Sequence, residues 1–501
     1  MYISNLMKTK KVSIIGSGFA SLSAACYLAQ AGYAVEVFEK NAQLGGRARQ
    51  FKKEGFKFDM GPTWYWMPDV FERFFKDFNK HTADYYSLEK LGPAYRIYFG
   101  KENTIDVSEN FSEIVKTFES IEKGAGKRLE KFIAKAKKNY DIAIKDLVYK
   151  PGLSPLELVS MQTARELKQF VLTISDSVRK NFKDERLRQV LEFPVLFLGA
   201  KPTNTPLFYS FMNYADFGLG TWYPEGGMKT VVDSFVELAK ELGVVFYLDS
   251  PVSKINVENN EATSMEINGN TIDIETLLSG ADYAHTETLL SPVYRTYTES
   301  YWSRKTMAPS SLLFYVGFSK KLKNVLHHTL FFDGSFEEHA VEIYDTPKWP
   351  SKPLFYASFP SITDETVAPQ GKEAATFLIP LAPDLEDTAA MRDKYFNIIL
   401  ERLEKLTNQS LKNDILFKES YCVQDFKDDY NSFKGNAYGL ANTLFQTAFL
   451  RPKLKSKKVN NLFFTGQLTV PGPGVPPAII SGKIVSELIV KQNKPAHEAA
   501  I

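Results

Sequence analysis

The chain has 501 residues, enough for roughly two to four domains, and 44% of them are hydrophobic, so it can bury a large core. Its 61 basic and 59 acidic residues leave a net charge of +2, which provides no global field for nucleic acid. Two cysteines and six scattered histidines offer no spacing suited to a structural zinc site, so no metal is expected.

Residues 1–10 lack the apolar core of a signal peptide, and no apolar run is long enough to span a membrane. The first predicted strand is Lys11–Ile15, followed by the turn Gly16-Ser-Gly18-Phe19-Ala20-Ser21 and a helix. Cys26 falls inside that helix, so a disulfide to Cys422 is not expected and a reducing cytoplasm fits. A second strand, Ala34–Phe38, ends at Glu39. Gly16 permits the tight turn. Gly18 leaves room for a pyrophosphate to reach backbone N–H groups where the helix dipole favours negative charge. Ser21 stands where a third glycine is usual and is small enough for close helix–strand packing. Glu39 lies 21 residues after Gly18, near the roughly 20 expected of the acid that binds a ribose hydroxyl. Together these features predict a dinucleotide site.

Directly after Glu39 and Lys40 come Gly45-Gly46-Arg47, then Gly55-Phe-Lys-Phe-Asp59-Met-Gly61-Pro62. Paired glycines and a planar guanidinium suit close approach to phosphate oxygens. An aromatic stretch, Trp64-Tyr65-Trp66, leads into an amphipathic helix around 70–78. Residues 111–191 read as helical. One of these helices carries Leu129, Phe132, Ile133, Ala136 and Tyr140 on one face and Lys131, Lys135, Lys137 and Lys138 elsewhere. A basic amphipathic helix of this kind either rests on an anionic membrane or is an ordinary surface helix.

A glycine turn at 218–227 precedes a helix over 229–242, a strand over 244–248 and another from Pro251-Val252, with a hairpin at Asn259-Asn260. The apolar run Ser311–Phe318 is too short to cross a membrane and reads as a buried strand, in a second sheet over about 312–381. Near the C-terminus, Leu462-Phe-Phe-Thr465-Gly466-Gln467 reads as a strand ending in glycine. The stiff turn Pro471-Gly-Pro-Gly474-Val475-Pro476-Pro477 and a helix to Val490 follow. Pro477 suits a first helical turn, where a missing N–H costs nothing.

The combination GxGxxG, Glu39 and Gly45-Gly46-Arg47 resembles the flavin-dependent amine oxidase and phytoene desaturase superfamily. In order and spacing, Gly55–Pro62, Asp184–Arg188, Gly220–Gly227, Leu326–Thr329, Ala368-Pro369, Gly435–Tyr438 and Phe449–Pro452 are most similar to bacterial phytoene desaturase type carotenoid desaturases. The resemblance implies an α/β fold: a Rossmann-like FAD-binding domain with a discontinuous mixed-sheet substrate domain and a helical cap. The expected boundaries are 8–95, 225–300 and 430–495 for the FAD domain, 96–224 for a membrane-facing cap, and 301–429 for the substrate domain. The implied FAD contacts are Gly16, Gly18, Phe19, Ala20, Glu39, Lys40, Gly46, Arg47, Gly61, Pro62, Thr63, Val252, Gly466, Gln467, Gly474, Val475 and Pro476. The C-terminal helix would then aim its positive end at the flavin pyrimidine edge.

The resemblance also implies hydride transfer from a long apolar carotenoid to flavin, with oxygen or a quinone as electron acceptor. It implies a cytoplasmic protein held peripherally on the inner face of the cell membrane. An acid after a Leu-Ser turn is the family's candidate acid–base group. Here that acid is Glu157, and Ser160 replaces the arginine that often follows. His327 and His328 read as strand-end or surface residues rather than bases. Three alternatives stay open. One is a desaturase or isomerase of downstream hydroxylated or cyclic carotenoids. Another is an amine oxidase-like flavoenzyme, disfavoured because Gln467-Leu-Thr-Val-Pro471 lacks an aromatic cage residue. The third is a prenyl-lipid-binding protein of the GDP-dissociation-inhibitor type, disfavoured by Glu39, Arg47 and the proline–glycine turn.

Overall fold

The computed structural model describes residues 10–145, 147–158, 168–443 and 445–493. At its centre is a five-stranded parallel sheet in the order 462–464, 276–279, 11–15, 34–38, 245–247. Val12 and Ile14 are fully buried, as expected for a parallel strand covered on both faces. The helix Phe19–Gln30 leaves the first strand through Gly16, whose φ of +86° excludes most side chains. A Cβ there would also lie 3.3 Å from Ala281 N.

The helix Val475–Asn493 packs along Phe19–Gln30 and joins the two ends of the chain. Gly482 makes this approach possible, because a Cβ at that position would meet Ala20 O at 2.4 Å and Ser23 Cβ at 2.7 Å. Ser23 Oγ donates to Ile479 O at 2.8 Å beside it. A three-stranded antiparallel sheet, 252–258, 261–267 and 270–273, flanks the parallel one. Its first turn has positive φ at both Asn259 and Asn260, as two-residue hairpins require.

The second large layer is a seven-stranded mixed sheet in the order 415–421, 310–318, 373–381, 355–358, 328–331, 95–100, 103–107. The strand Ser310–Phe318 is buried throughout. Phe314, Phe377 and Ile379 pack with Phe396, Ile399 and Leu403 of the helix Ala389–Thr407. The sequence reading differs at one border. Residues 96–107, expected at the start of the helical cap, are strands that complete this sheet, with Tyr95–Gly100 parallel to His328–Phe331. Their edge position depends on pairing across more than two hundred residues, which local patterning does not carry.

The helical cap contains Phe111–Ile121, Ala125–Lys145, Ile174–Asn181, Glu185–Glu192 and Phe211–Phe217. The apolar face of Ala125–Lys145 is not free for a membrane. Leu129, Ile133, Ala136 and Tyr140 are buried, Tyr140 meets the Tyr214 ring edge-on at 5.4 Å, and Asn139 Nδ2 donates to Ser210 Oγ at 3.1 Å.

Gly482→Ala is expected to force the two terminal helices apart and to cost ~1–3 kcal/mol, the usual range for overpacking. A urea titration of purified protein measures this loss, and the variant should also hold less cofactor.

Candidate flavin and substrate cavity

One cavity of about 890 Å³ runs between the two sheets and under the helical cap. It gathers Gly16, Gly18, Phe19 and Ala20 from the first turn, and Glu39, Lys40, Gly46 and Arg47 from the segment after the second strand. Gly61, Pro62 and Thr63 line it midway, Val252 at one side, and Gly466, Gln467, Gly474, Val475 and Pro476 from the C-terminal turn. Residues scattered over most of the chain thus face one space.

Glu39 is 4% exposed and organises the nucleotide end. Its Oε2 accepts from Ser17 N at 3.0 Å and Ser17 Oγ at 2.6 Å, and its Oε1 accepts from Asn41 N at 2.9 Å and Asn41 Nδ2 at 3.0 Å. A carboxylate has about four acceptor positions, so a ribose hydroxyl would take over one of these. Lys40 is turned away from that task, since its Nζ donates to Asp428 O at 2.6 Å. Ser250 N donates to Glu39 O at 2.8 Å and so ties the Val252 segment to the same loop.

Arg47 lies against the ring of Tyr430 at 4.9 Å, and its Nη2 donates to Ser432 Oγ at 3.1 Å and Asn436 O at 3.4 Å. Its Nε is buried with no acceptor among the described residues. Burial lowers the Arg47 pKa and raises that of nearby Asp282, whose carboxylate accepts from His285 N and Phe433 N, both at 3.2 Å. An orphaned guanidinium donor at the edge of a cavity calls for an anionic acceptor. The space around it is equally specific. A Cβ on Gly46 would sit 3.2 Å from Gly18 Cα, and one on Gly61 would sit 2.3 Å from Arg47 O. The two glycine motifs therefore abut and leave a backbone-lined slot of the kind a pyrophosphate needs.

At the opposite side, Gly466 and Gly474 have φ of +100° and +113° and bend the C-terminal turn around the cavity. Val475 and Pro476 also line it, so the helix Val475–Asn493 begins at the cavity wall.

A family model described as flavin containing amine oxidoreductase matches residues 19–490. The chain belongs to that family. Among its relatives, a carotenoid 3,4-desaturase of Haloarcula japonica is 40% identical over 484 residues, covering 96% of this chain and 98% of that protein. A zeta-carotene-forming phytoene desaturase of Myxococcus xanthus is 30% identical over 497 residues, covering 96% and 94%. Among solved structures, an oxidoreductase from Methanosarcina mazei shares the fold with a TM-score of 0.62 at 18% identity, over 95% of this chain and all of that one. The protein is a flavoenzyme of the oxidoreductase class, and FAD is its cofactor. The orphaned Arg47 donor and the abutting glycines fit the pyrophosphate of that molecule.

Beyond the flavin end the cavity is apolar and aromatic, with Phe193, Leu330, Phe332 and Phe355 among its walls. Trp64 stands at the junction and stacks on His328 at 4.0 Å. His327 and His328 stand at a strand end, as one expectation had it, since His328 opens the strand His328–Phe331, but both are buried rather than on the surface, at 4% and 0% exposure. His328 Nδ1 is 2.7 Å from the Tyr356 hydroxyl, which is 2.8 Å from Thr63 Oγ1. Burial holds His327 near pKa 3 and His328 well below its usual range, so both are neutral imidazoles at neutral pH.

Glu157 lines the cavity at its far mouth, where its oxygens accept from Gly152 N at 2.8 Å and Leu153 N at 3.0 Å. Ser160 lies outside the described residues. Sequence reasoning missed Ser17, Asn41, Asp282 and Tyr430. The first two sit inside the recognised motifs, and polar residues flanking Glu39 were a usable signal. Tyr430 reaches Arg47 only through the tertiary fold.

Arg47→Lys replaces the fork by a point charge and is expected to weaken FAD binding by roughly tenfold or more, ~1.4 kcal/mol. Fluorescence titration of the apoprotein with FAD measures it.

Proposed function

We propose that the protein desaturates a long apolar carotenoid, taking two electrons from adjacent C–H carbons into FAD. The observation that carries this reading is the continuity of the flavin slot with an aromatic-lined chamber. Carotenoid desaturases with matching length on both sides support it. FAD, when bound, supplies the two-electron acceptor that receives hydride from carbon. The protein's residues supply position. A polyene hydrocarbon offers few hydrogen-bonding groups, so its register must follow the shape of the chamber, and burial at ~25 cal/mol per Å² holds it there. Aromatic faces such as Trp64 stabilise positive charge spread along the chain after hydride leaves.

Carboxylates lining the cavity sit at its ends. Glu39, Asp282 and Asp429 belong to the nucleotide end, and Glu157 to the mouth. We assign Glu157 to holding its own loop, with the proton leaving the delocalised cation to water. Glu157→Gln is then expected to keep its desaturation rate. A loss of roughly a hundredfold or more, with an intact flavin spectrum, would make Glu157 the base instead.

The mouth also supports a membrane role. Leu153, Leu156, Val171, Leu172, Phe445 and Leu450 are 40–82% exposed. Their segments are tied together: Lys453 Nζ donates to Phe449 O at 2.8 Å and to Gly152 O, Leu207 N donates to Leu172 O at 2.7 Å, and the Tyr209 hydroxyl two residues on bonds with Thr447 Oγ1. Gly152, Phe170, Phe449 and Leu450 line the cavity just inside. An apolar rim around a tunnel entrance suits a protein that takes its substrate from a bilayer on the cytoplasmic side. No helix among the described residues is long and apolar enough to cross one. A membrane quinone, or oxygen, would then re-oxidise the flavin.

Two experiments follow from this reading. Holoenzyme incubated with carotenoid-loaded liposomes should yield a product with a longer conjugated chain by pigment analysis. Amine oxidation with no pigment change would contradict the reading. Co-sedimentation with vesicles should persist at high salt and fall roughly a hundredfold or more in Leu156→Asp plus Val171→Asp, since each buried leucine or valine contributes ~1.5–3 kcal/mol.

A further inference from the structure

Arg451 has the largest side chain among those fully buried, at 2% exposure. Each of its five N–H donors has an acceptor. Nε donates to Thr469 O at 2.8 Å. Nη1 donates to Asn442 Oδ1 at 2.6 Å and Gln446 O at 3.1 Å. Nη2 donates to Gln467 O at 2.7 Å and Leu440 O at 3.4 Å. Every acceptor is neutral. Among the described residues no carboxylate pairs with this guanidinium. The other charged side chain that feels it is a second cation, Lys305, whose pKa burial and Arg451 both lower.

A buried cation without a counter-ion costs several kcal/mol. Burial alone pulls Arg451 down to about pKa 10, which still leaves it charged at neutral pH. Five acceptors need five N–H donors, which only a guanidinium supplies, and the charge comes with them. The position of Arg451 decides what that charge acts on. Two of its acceptors, Gln467 O and Thr469 O, belong to the turn between Gly466 and Gly474, which lines the cavity where the flavin-facing helix begins. A Cβ on Gly472 of that turn would lie 3.5 Å from Nη1 and 3.1 Å from Asn442 Oδ1.

We propose that Arg451 is a positioning residue that shapes the flavin-facing turn and supplies the uncompensated positive charge that favours the reduced, anionic cofactor. Its five bonds fix Gln467 and Thr469, and its charge adds to the helix end that points at the same wall. The C-terminal turn thus acts electrostatically as well as sterically, which would favour hydride transfer from a hydrocarbon that is a weak hydride donor.

The inference rests on the placement of the flavin at this turn. The test compares wild-type holoenzyme with Arg451→Lys and Arg451→Gln, reading the flavin midpoint potential by dye-equilibrated titration. Arg451→Gln should bind reduced over oxidised FAD at least tenfold less selectively, ~30 mV lower for a two-electron couple. Arg451→Lys should restore most of that shift while still binding FAD less tightly than wild type. A glutamine variant that weakens both redox forms equally, leaving the potential unmoved, would reduce Arg451 to a loop clamp and overturn the proposal. If the glutamine variant fails to fold, the wild type alone decides. Its reduced flavin should stay anionic well below neutral pH, and protonation in the range of free reduced flavin would overturn the proposal. Wild-type protein that takes up no FAD would instead remove the flavin placement itself.

Discussion

The contact between the first and last helices sets the rest of the structure. Gly482 lets Val475–Asn493 lie against Phe19–Gln30 within the reach of a single hydrogen atom, and Ser23 bonds across it. That approach brings the Gly16–Gly18 turn opposite the Gly466–Gly474 turn and places the strand Leu462–Phe464 beside Thr276–Ser279. The cavity is the space these turns enclose. The parallel sheet draws its strands from stretches far apart in the chain, so its integrity depends on such long-range packing.

Polarity then changes along the cavity in a way that suits its occupants. At the nucleotide end, Glu39 and Arg47 supply a filled carboxylate and a donor in need of an acceptor. In the middle, Thr63, Tyr356 and Trp64 mark the passage to an apolar chamber. At the mouth, leucine and phenylalanine side chains face outward. Charged side chains gather mainly at the end proposed for the FAD pyrophosphate, and the chamber proposed for the hydrocarbon is apolar. Burial keeps His327 and His328 neutral, and His328 stands behind the wall as the stacking partner of Trp64.

Much of the nucleotide end was legible in the sequence because its motifs are local. Gly16, Gly18 and Glu39 lie within one strand–helix–strand unit, and the conformation each must adopt follows from that unit. The hairpin at Asn259-Asn260 and the strand Ser310–Phe318 were legible for the same reason. Other features were hidden by distance. Strands 95–100 and 103–107 acquire their sheet only by pairing with His328–Phe331. The Ala125–Lys145 helix has the pattern of a membrane-surface helix, but its apolar stripe is buried against Phe211–Phe217. Arg451 reads as a polar residue before a proline, and nothing local reveals that five acceptors enclose it. Burial and counter-ion balance are properties of the assembled chain.

The central claim is that flavin and polyene share one cavity so that electrons pass directly between them. A single-turnover experiment without oxygen tests it most directly, mixing the holoenzyme with carotenoid in vesicles and following both chromophores together. Flavin bleaching and the red shift of the polyene should rise with one rate constant and in equal molar amounts. A polyene that changes while the flavin stays oxidised, or a flavin reduced with no change in the polyene, would contradict it.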